Sequence, residues 1–364
     1  MYKDIYVTKS YMPPREEYDA YLSKIWQTAW LTNMGEMHEE LKGKLKSYLG
    51  VNGLELFVNG HLALEMCLQA FDFPKGGEVI TTPFSFASTT HAIVRQGLKP
   101  VFCDIREDDC TMDAGKIEEL ITDKTVAILP VHVYGNPCDT ETIEAVAKKH
   151  GLKVIYDAAH AFGEKIPLGD ASIMSFHATK VFHTIEGGAV LFDESSEWGK
   201  AYASTLYKLK NFGITGYDKV EYVGGNAKMN EFAAAMGLCN LNHIGEMIAG
   251  RKRIDEAYRS KLSGIEGVRL LTRKEGFDYN YAYMPVVFDE PLNRDKIFDA
   301  LAEVKIHARK YFYPCINAYD CYPQYDENET PIARDISKKI LTLPIYPDLE
   351  MEAVDEICDV IRKQ

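Results

Sequence analysis

Between about residues 55 and 193, short runs rich in β-branched residues alternate with stretches whose apolar side chains recur at helical spacing. This rhythm limits the fold more than any other feature of the chain. The runs are "EVITT" (78–82), "KPVFCDI" (99–105), "TVAILPVHVYG" (125–135), "KVIYD" (153–157), "ASIMSF" (171–176) and "GAVLF" (188–192). Strands alternating with helices build a mostly parallel sheet covered by helices, an α/β architecture. The clearest helix is "DTETIEAVAKKHG": Asp139 suits the N-cap, Ile143, Val146 and Ala147 share a face, and Gly151 suits the stop. Another starts after Asn59 and Gly60, where "HLALEMCLQAF" sets Leu62, Met66 and Gln69 with Ala70 on successive turns.

After residue 225 the rhythm changes to one long helical run, "KMNEFAAAMGLCNLNHIGEMIAGRKRIDEAYRSKL", leading into a smaller α+β unit. Its expected strands are "GVRLL" (267–271), "YAYMPVVF" (281–288) and "KIHARKYF" (305–312). Its expected helices are "NRDKIFDALAEV" and "MEAVDEICDVIRK", the latter with Val354, Ile357, Cys358 and Ile361 on one face. With 364 residues, two domains are expected: residues 1–240, with the large sheet, and residues 241–364.

A hydrophobic fraction of 46% beside 26% charged residues fits a globular fold and excludes disorder. The net charge of -13 argues against a nucleic-acid partner, and the densest basic run, "GRKR" at 250–253, reads as a solvated helix face. Eight cysteines without a C-x-x-C pair point to reduced thiols in a cytoplasm and not to zinc or a disulfide framework. The N-terminus lacks the apolar core of a signal peptide, and no stretch approaches the roughly 18 apolar residues of a membrane span.

Open parallel sheets bind ligands at the carboxyl ends of their strands. Asp157 ends the run "KVIYD"; it could cap a following helix, or hold the protonated ring nitrogen of a cofactor with His160 nearby. Ser175 and Lys180 follow the next strand. Lys180 could snorkel outward, or be a desolvated Schiff-base lysine, since burial leaves more neutral amine. Upstream, "NGHLAL" puts a glycine before a helix N-terminus, which favours an anion such as phosphate. "TTPFSFAST" then supplies Phe84 and Phe86, which could pack in the core or cover a planar ring. A phosphate cradle, an aromatic plate, a strand-end aspartate and a late lysine, in this order, meet the needs of pyridoxal 5'-phosphate.

The segments "WLTNMGEMHEEL", "VNGHLAL", "PFSFAST", "PVHVYGNPCD", "YDAAHAFG", "SFHATKVFHTIEGGA", "GGNAKMNEFAAAMGL", "ARKYFYP" and "LPIYP" make nearly the whole chain resemble the DegT/DnrJ/StrS family of sugar-nucleotide aminotransferases. That resemblance implies the aspartate aminotransferase fold (fold type I) and a homodimer with shared active sites. It implies that Lys180 forms the Schiff base and later shuttles protons, that Asp157 pairs with the pyridinium nitrogen, and that His160 lies beside the ring and Phe86 on its face. Ser175 with the backbone of Gly60 and His61 would hold the phosphate, and Asn226 would reach it from the neighbouring subunit. Arg309, Tyr311 and Tyr313 would lie near the substrate nucleotide. His183 stands where asparagine is frequent in the family and could contact the sugar or the other subunit, or serve a purely structural role. At position 61 the family usually has threonine or serine, and at Lys228 a common arginine.

The implied reaction is a ping-pong transamination in which L-glutamate leaves its nitrogen as pyridoxamine 5'-phosphate, which then aminates a nucleotide-linked keto-sugar. The variants "SFHATKVF" and "HVYGNPCD" look closest to family members acting at C4 of dTDP-4-keto-6-deoxy-D-glucose, giving dTDP-4-amino-4,6-dideoxy-D-glucose. The alternatives are amination at C3, a pyridoxamine-dependent sugar dehydratase, which carries histidine where this chain has Lys180, and a cofactor-binding regulator without catalysis.

Overall fold

The computed structural model describes residues 4–364. Seven strands form the large sheet in the order Gly53–Phe57, Gly188–Phe192, Ala171–Ser175, Lys153–Asp157, Thr125–Leu129, Glu78–Thr81 and Lys99–Phe102. Gly188–Phe192 runs antiparallel to both its neighbours, and the other six strands point the same way. Their carboxyl ends therefore share one edge, where Phe57, Thr81, Leu129, Asp157 and Ser175 each hand the chain to a loop.

Several expected strands are shorter than the apolar runs that signalled them. "TVAILPVHVYG" stops at Leu129 because Pro130 has no N–H to extend the ladder; its carbonyl still accepts from Asp157 N at 2.9 Å. The following residues turn through Tyr134, whose φ is 59°. The edge strand Gly53–Phe57 carries no sequence signal because Glu55 interrupts its apolar run. The carboxylate is buried, bonded to Lys210 Nζ at 2.6 Å and to Lys42 Nζ. These two ammonium groups hold its pKa down against the desolvation that would raise it.

The long run after residue 225 is two helices and not one, Glu231–Asn242 and Ile244–Leu262, broken at His243. Nearly every side of the first is buried, which explains its uniform apolarity. The "GRKR" segment is not wholly solvated: Arg251 is buried, and its guanidinium donates to the carbonyls of Ile345 at 3.0 Å and Ala282 at 3.3 Å. Burial brings its pKa down to about 10.

A second sheet is antiparallel, in the order Val268–Leu270, Met284–Phe288, Ile340–Leu343. Helix Arg294–Glu303 and helix Met351–Arg362 pack there, the latter through the fully buried Val354, Ile357, Cys358 and Ile361. "KIHARKYF" does not form one strand. Only Ile306–His307 is extended in a ladder, parallel to Ile5–Tyr6, and Arg309 makes an isolated bridge to Thr342 before the chain turns toward the sheet edge. The strand Ile340–Leu343 had no separate signal, being four residues between a helix and the proline pair Pro344 and Pro347.

One buried group makes the fold acid-sensitive. His132 lies under Asp157's strand end, its Nδ1 accepting from Cys138 N at 3.1 Å, and burial lowers its pKa to about 3. Between pH 6.5 and 3 the unfolded chain therefore binds a proton that the folded chain refuses, so stability rises with pH across this window. Acidification should reduce the urea-unfolding free energy by up to ~1.4 kcal/mol per pH unit through this group. His132→Asn, which keeps an acceptor for Cys138 N, should remove that part of the slope. An unchanged slope would contradict this assignment.

Candidate active site

A cavity of about 650 Å³ opens at the shared strand edge, walled by Gly60, His61, Phe86, Asp157, His160, Ser175, Lys180, Arg309 and Tyr311 among others. They arrive from several elements, each for a local reason. Phe57 pairs with Gly188 and Ser175 with the same Gly188, so the start of helix Gly60–Ala70 lies against Ser175. A Cβ on Gly60 would sit 2.9 Å from Ser175 Cβ, so only glycine allows this approach. The Asn59 side chain caps the helix by accepting from Leu62 N at 2.8 Å. The Gly60 and His61 amides, among the first four of the helix, need a partner from outside it. Phe86 occupies the N-cap position of helix Ala87–Arg95 and is 56% exposed, its ring at the cavity wall and 6.5 Å from that of Tyr311. Phe84 points the other way and is fully buried.

Asp157 caps no helix. Its Oδ1 accepts from Ala159 N at 3.1 Å, closing a turn, and its Oδ2 accepts from Thr89 Oγ1 at 2.8 Å. Desolvation raises its pKa, while the Thr89 bond, the Ala159 bond and the Lys180 charge oppose the rise. A buried carboxylate with only neutral donors suits a cationic partner arriving from the cavity. His160 Nδ1 accepts from Tyr134 N at 3.0 Å, so the ring proton sits on Nε2, and burial keeps the imidazole neutral.

Lys180 follows the strand ending at Ser175 in a tight turn, its N–H bonded to His177 O at 2.8 Å. Its Nζ lies 3.3 Å from Tyr283 Oη. Desolvation pushes the amine below the ordinary lysine range, with Tyr311 and Asp157 pulling the other way. A larger fraction of it is neutral nucleophile at a given pH than on a surface lysine.

Three expected residues lie outside this cavity. Asn226 is exposed on the loop before helix Glu231–Asn242, its side-chain oxygen accepting from Lys228 Nζ at 2.9 Å. Tyr313 is half-exposed, its ring 4.8 Å from the Arg294 guanidinium. His183 is in the interior, where both nitrogens are engaged: Nε2 with Tyr11 O at 2.7 Å, Nδ1 with Ile185 N at 3.2 Å. It has nothing left to offer a sugar in this chain. Conversely, Tyr283 and Thr89 escaped the sequence reading. Thr89 lies one helical turn beyond Phe86, a spacing that could have found it. Tyr283 lies just before the second sheet's strand Met284–Phe288, 103 positions after Lys180, with no local signal.

Comparison with known proteins settles the ancestry. Residues 14–362 match the model of the DegT/DnrJ/EryC1/StrS aminotransferase family. The chain belongs to that family. It is 43% identical to the dTDP-4-amino-4,6-dideoxy-D-glucose transaminase of Shigella dysenteriae over 100% of both chains. It is 42% identical to the Escherichia coli protein of the same name, covering 99% of this chain and 98% of the relative. Among solved structures, DesI in the presence of its TDP-sugar product superposes with a TM-score of 0.93 at 30% identity, over 100% of this chain and 93% of that one. This member of the aminotransferase family is thus a pyridoxal phosphate-dependent sugar transaminase.

The residues present fit that cofactor. The glycine-lined cradle at Gly60 and Ser175 suits a phosphate, the desolvated Asp157 a pyridinium nitrogen, and the desolvated amine of Lys180 an aldehyde carbon. Bound there, the cofactor supplies the electron sink that lets an amino group move between substrates. Among the described residues no group of three or more His, Cys, Asp or Glu could hold a metal, and no helix is long and apolar enough to cross a membrane.

Proposed function

We propose that this protein moves the amino group of L-glutamate to C4 of dTDP-4-keto-6-deoxy-D-glucose, giving dTDP-4-amino-4,6-dideoxy-D-glucose. The observation that carries the reading is the full-length likeness to two transaminases of that name, combined with a cavity that keeps Lys180 and Asp157 together. In this reading Lys180 Nζ takes the proton from the donor carbon and returns one to the sugar carbon; Tyr283 Oη gives the released amine a hydrogen-bond partner. Asp157 holds the ring nitrogen, His160 flanks the ring, Phe86 covers it, and Ser175 with the Gly60 and His61 amides holds the phosphate. Arg309 and Tyr311 face the substrates from the second sheet's side of the cavity.

The exposed position of Asn226 is the one a residue needs to enter a second subunit's cavity, and it supports a homodimer with shared sites. A division into a cofactor domain of residues 1–240 and a smaller domain of residues 241–364, and a cytoplasmic setting, belong to the same reading. The test is an assay of 4-keto and 3-keto sugar nucleotides with L-glutamate, the amine position being read by NMR. A 4-amino product is expected; 3-amino products alone would overturn the assignment of C4.

A further inference from the structure

Successive residues of a strand face opposite sides of a sheet, and those that wall the cofactor cavity alternate with others that wall a second one. Val131 and Ile173 face the first; His132, Ser172 and Met174 face the second, a space of about 450 Å³ on the other side of the same strands. The two cavities share no lining residue. Leu49 and Val51, at the end of helix Glu36–Leu49, with Ile166, Leu168 and Leu191, make the second one largely apolar. Two buried polar side chains interrupt this lining, and each has an atom that the chain leaves unpaired. His132 accepts at Nδ1 from Cys138 N, so its ring proton is on Nε2, which has no partner among the described residues. Glu164 is 8% exposed; its Oε1 accepts from Asn280 N at 3.0 Å, and its Oε2 likewise has no partner. Burial pushes the Glu164 carboxyl well above the ordinary carboxylate range, against the Asn280 bond and the Arg273 charge, so the group is the acid with its proton on Oε2. Buried donors in folded proteins are paired, so two on the wall of one cavity call for an acceptor brought from outside the chain.

We propose that this rear cavity is a second ligand site, taking a small uncharged molecule with an apolar body and a carbonyl oxygen that accepts from His132 Nε2 and Glu164 Oε2. An anion fits less well. Neither donor carries a charge, so the desolvation of a full charge would go uncompensated, and Lys165, which also lines the cavity, is exposed where water screens it. The site backs directly onto the catalytic one. His132 N donates to Asp157 O at 3.0 Å, and Asn280, whose own N–H holds Glu164, donates through Nδ2 to His160 O at 2.8 Å.

The test uses the cofactor-loaded protein with acetophenone, an uncharged carbonyl acceptor that has no donor, and with benzoate, its anionic counterpart. Affinity is read by saturation-transfer NMR and the place of binding from soaked crystals. Acetophenone should occupy the rear cavity with its oxygen on both donors and a Kd of about 1 mM, about tenfold tighter than benzoate. Leu168→Trp, on the partly exposed loop that covers the cavity, should fill the space and abolish binding while leaving kcat unchanged. Glu164→Gln, whose amide still accepts from Asn280 N and donates to the ligand, should bind as the wild type does; Glu164→Met, which lacks the donor, should bind about tenfold more weakly. Water alone in the cavity of soaked crystals, acetophenone in the catalytic cavity only, or equal binding by the wild type and Leu168→Trp would overturn the site. Benzoate binding more tightly than acetophenone would overturn the choice of an uncharged ligand.

Discussion

Lys180→Ala should lower kcat by about 10²- to 10⁴-fold, the range contributed by a positioned acid–base group, while leaving pyridoxamine 5'-phosphate able to bind. The geometry explains the size of the effect. The cavity is walled by three histidines besides His160, but His61 and His177 are tied to Ser88 and Thr179, and His91 to Tyr322, so none is free beside the reacting carbon. Lys180 alone brings an amine whose pKa burial lowers into the same cavity as Asp157 and Tyr311. Lys180→Arg should not rescue activity, because a guanidinium stays protonated and cannot take a proton. Single-turnover absorbance measurements on protein preloaded with the amine form of the cofactor separate binding from proton transfer. A Lys180→Ala protein that turned over at the normal rate would remove the lysine from the mechanism.

Asp157→Asn should be the second severe change. Asparagine keeps the shape and an oxygen to accept from Ala159 N, while its NH2 can donate to the Thr89 hydroxyl, which accepts as well as donates, so the loss is mainly that of the charge. Breaking a buried pair by removing one partner is worth about 3–5 kcal/mol, which corresponds to a fall of about 10²- to 10⁴-fold in kcat/KM. The cofactor-free protein should behave oppositely. There the carboxylate is desolvated with its pKa raised, so the amide should leave thermal stability unchanged or higher. Full activity in Asp157→Asn, or a collapse of the cofactor-free fold, would contradict the role.

How far the sequence reveals this arrangement depends on whether the signal is local. Asp139, Ile143 and Gly151 mark a helix whose cap, face and stop all lie within thirteen residues, and the helix Thr140–His150 forms as they indicate. Asp157, Ser175 and Lys180 were legible because parallel strand ends converge on one edge whatever the loops do. The strand through Glu55 was hidden because the residue that neutralises its charge, Lys210, lies 155 positions away. Arg251 read as solvated for the same reason, since the carbonyls that satisfy it come from Ala282 and Ile345. Tyr283, just ahead of the strand Met284–Phe288, meets Lys180 across 103 positions of chain. Pairings set by tertiary packing leave no trace in a local window.

The most direct measurement reduces the purified, cofactor-loaded protein with borohydride and locates the pyridoxyl group by peptide mass spectrometry. The label should fall on Lys180, in the peptide containing "SFHATKVFHTIEGGA", with loss of the visible absorbance. A label on another lysine, or a protein whose visible absorbance survives reduction with Lys180 unmodified, would contradict the assignment of Lys180 as the residue that carries the cofactor.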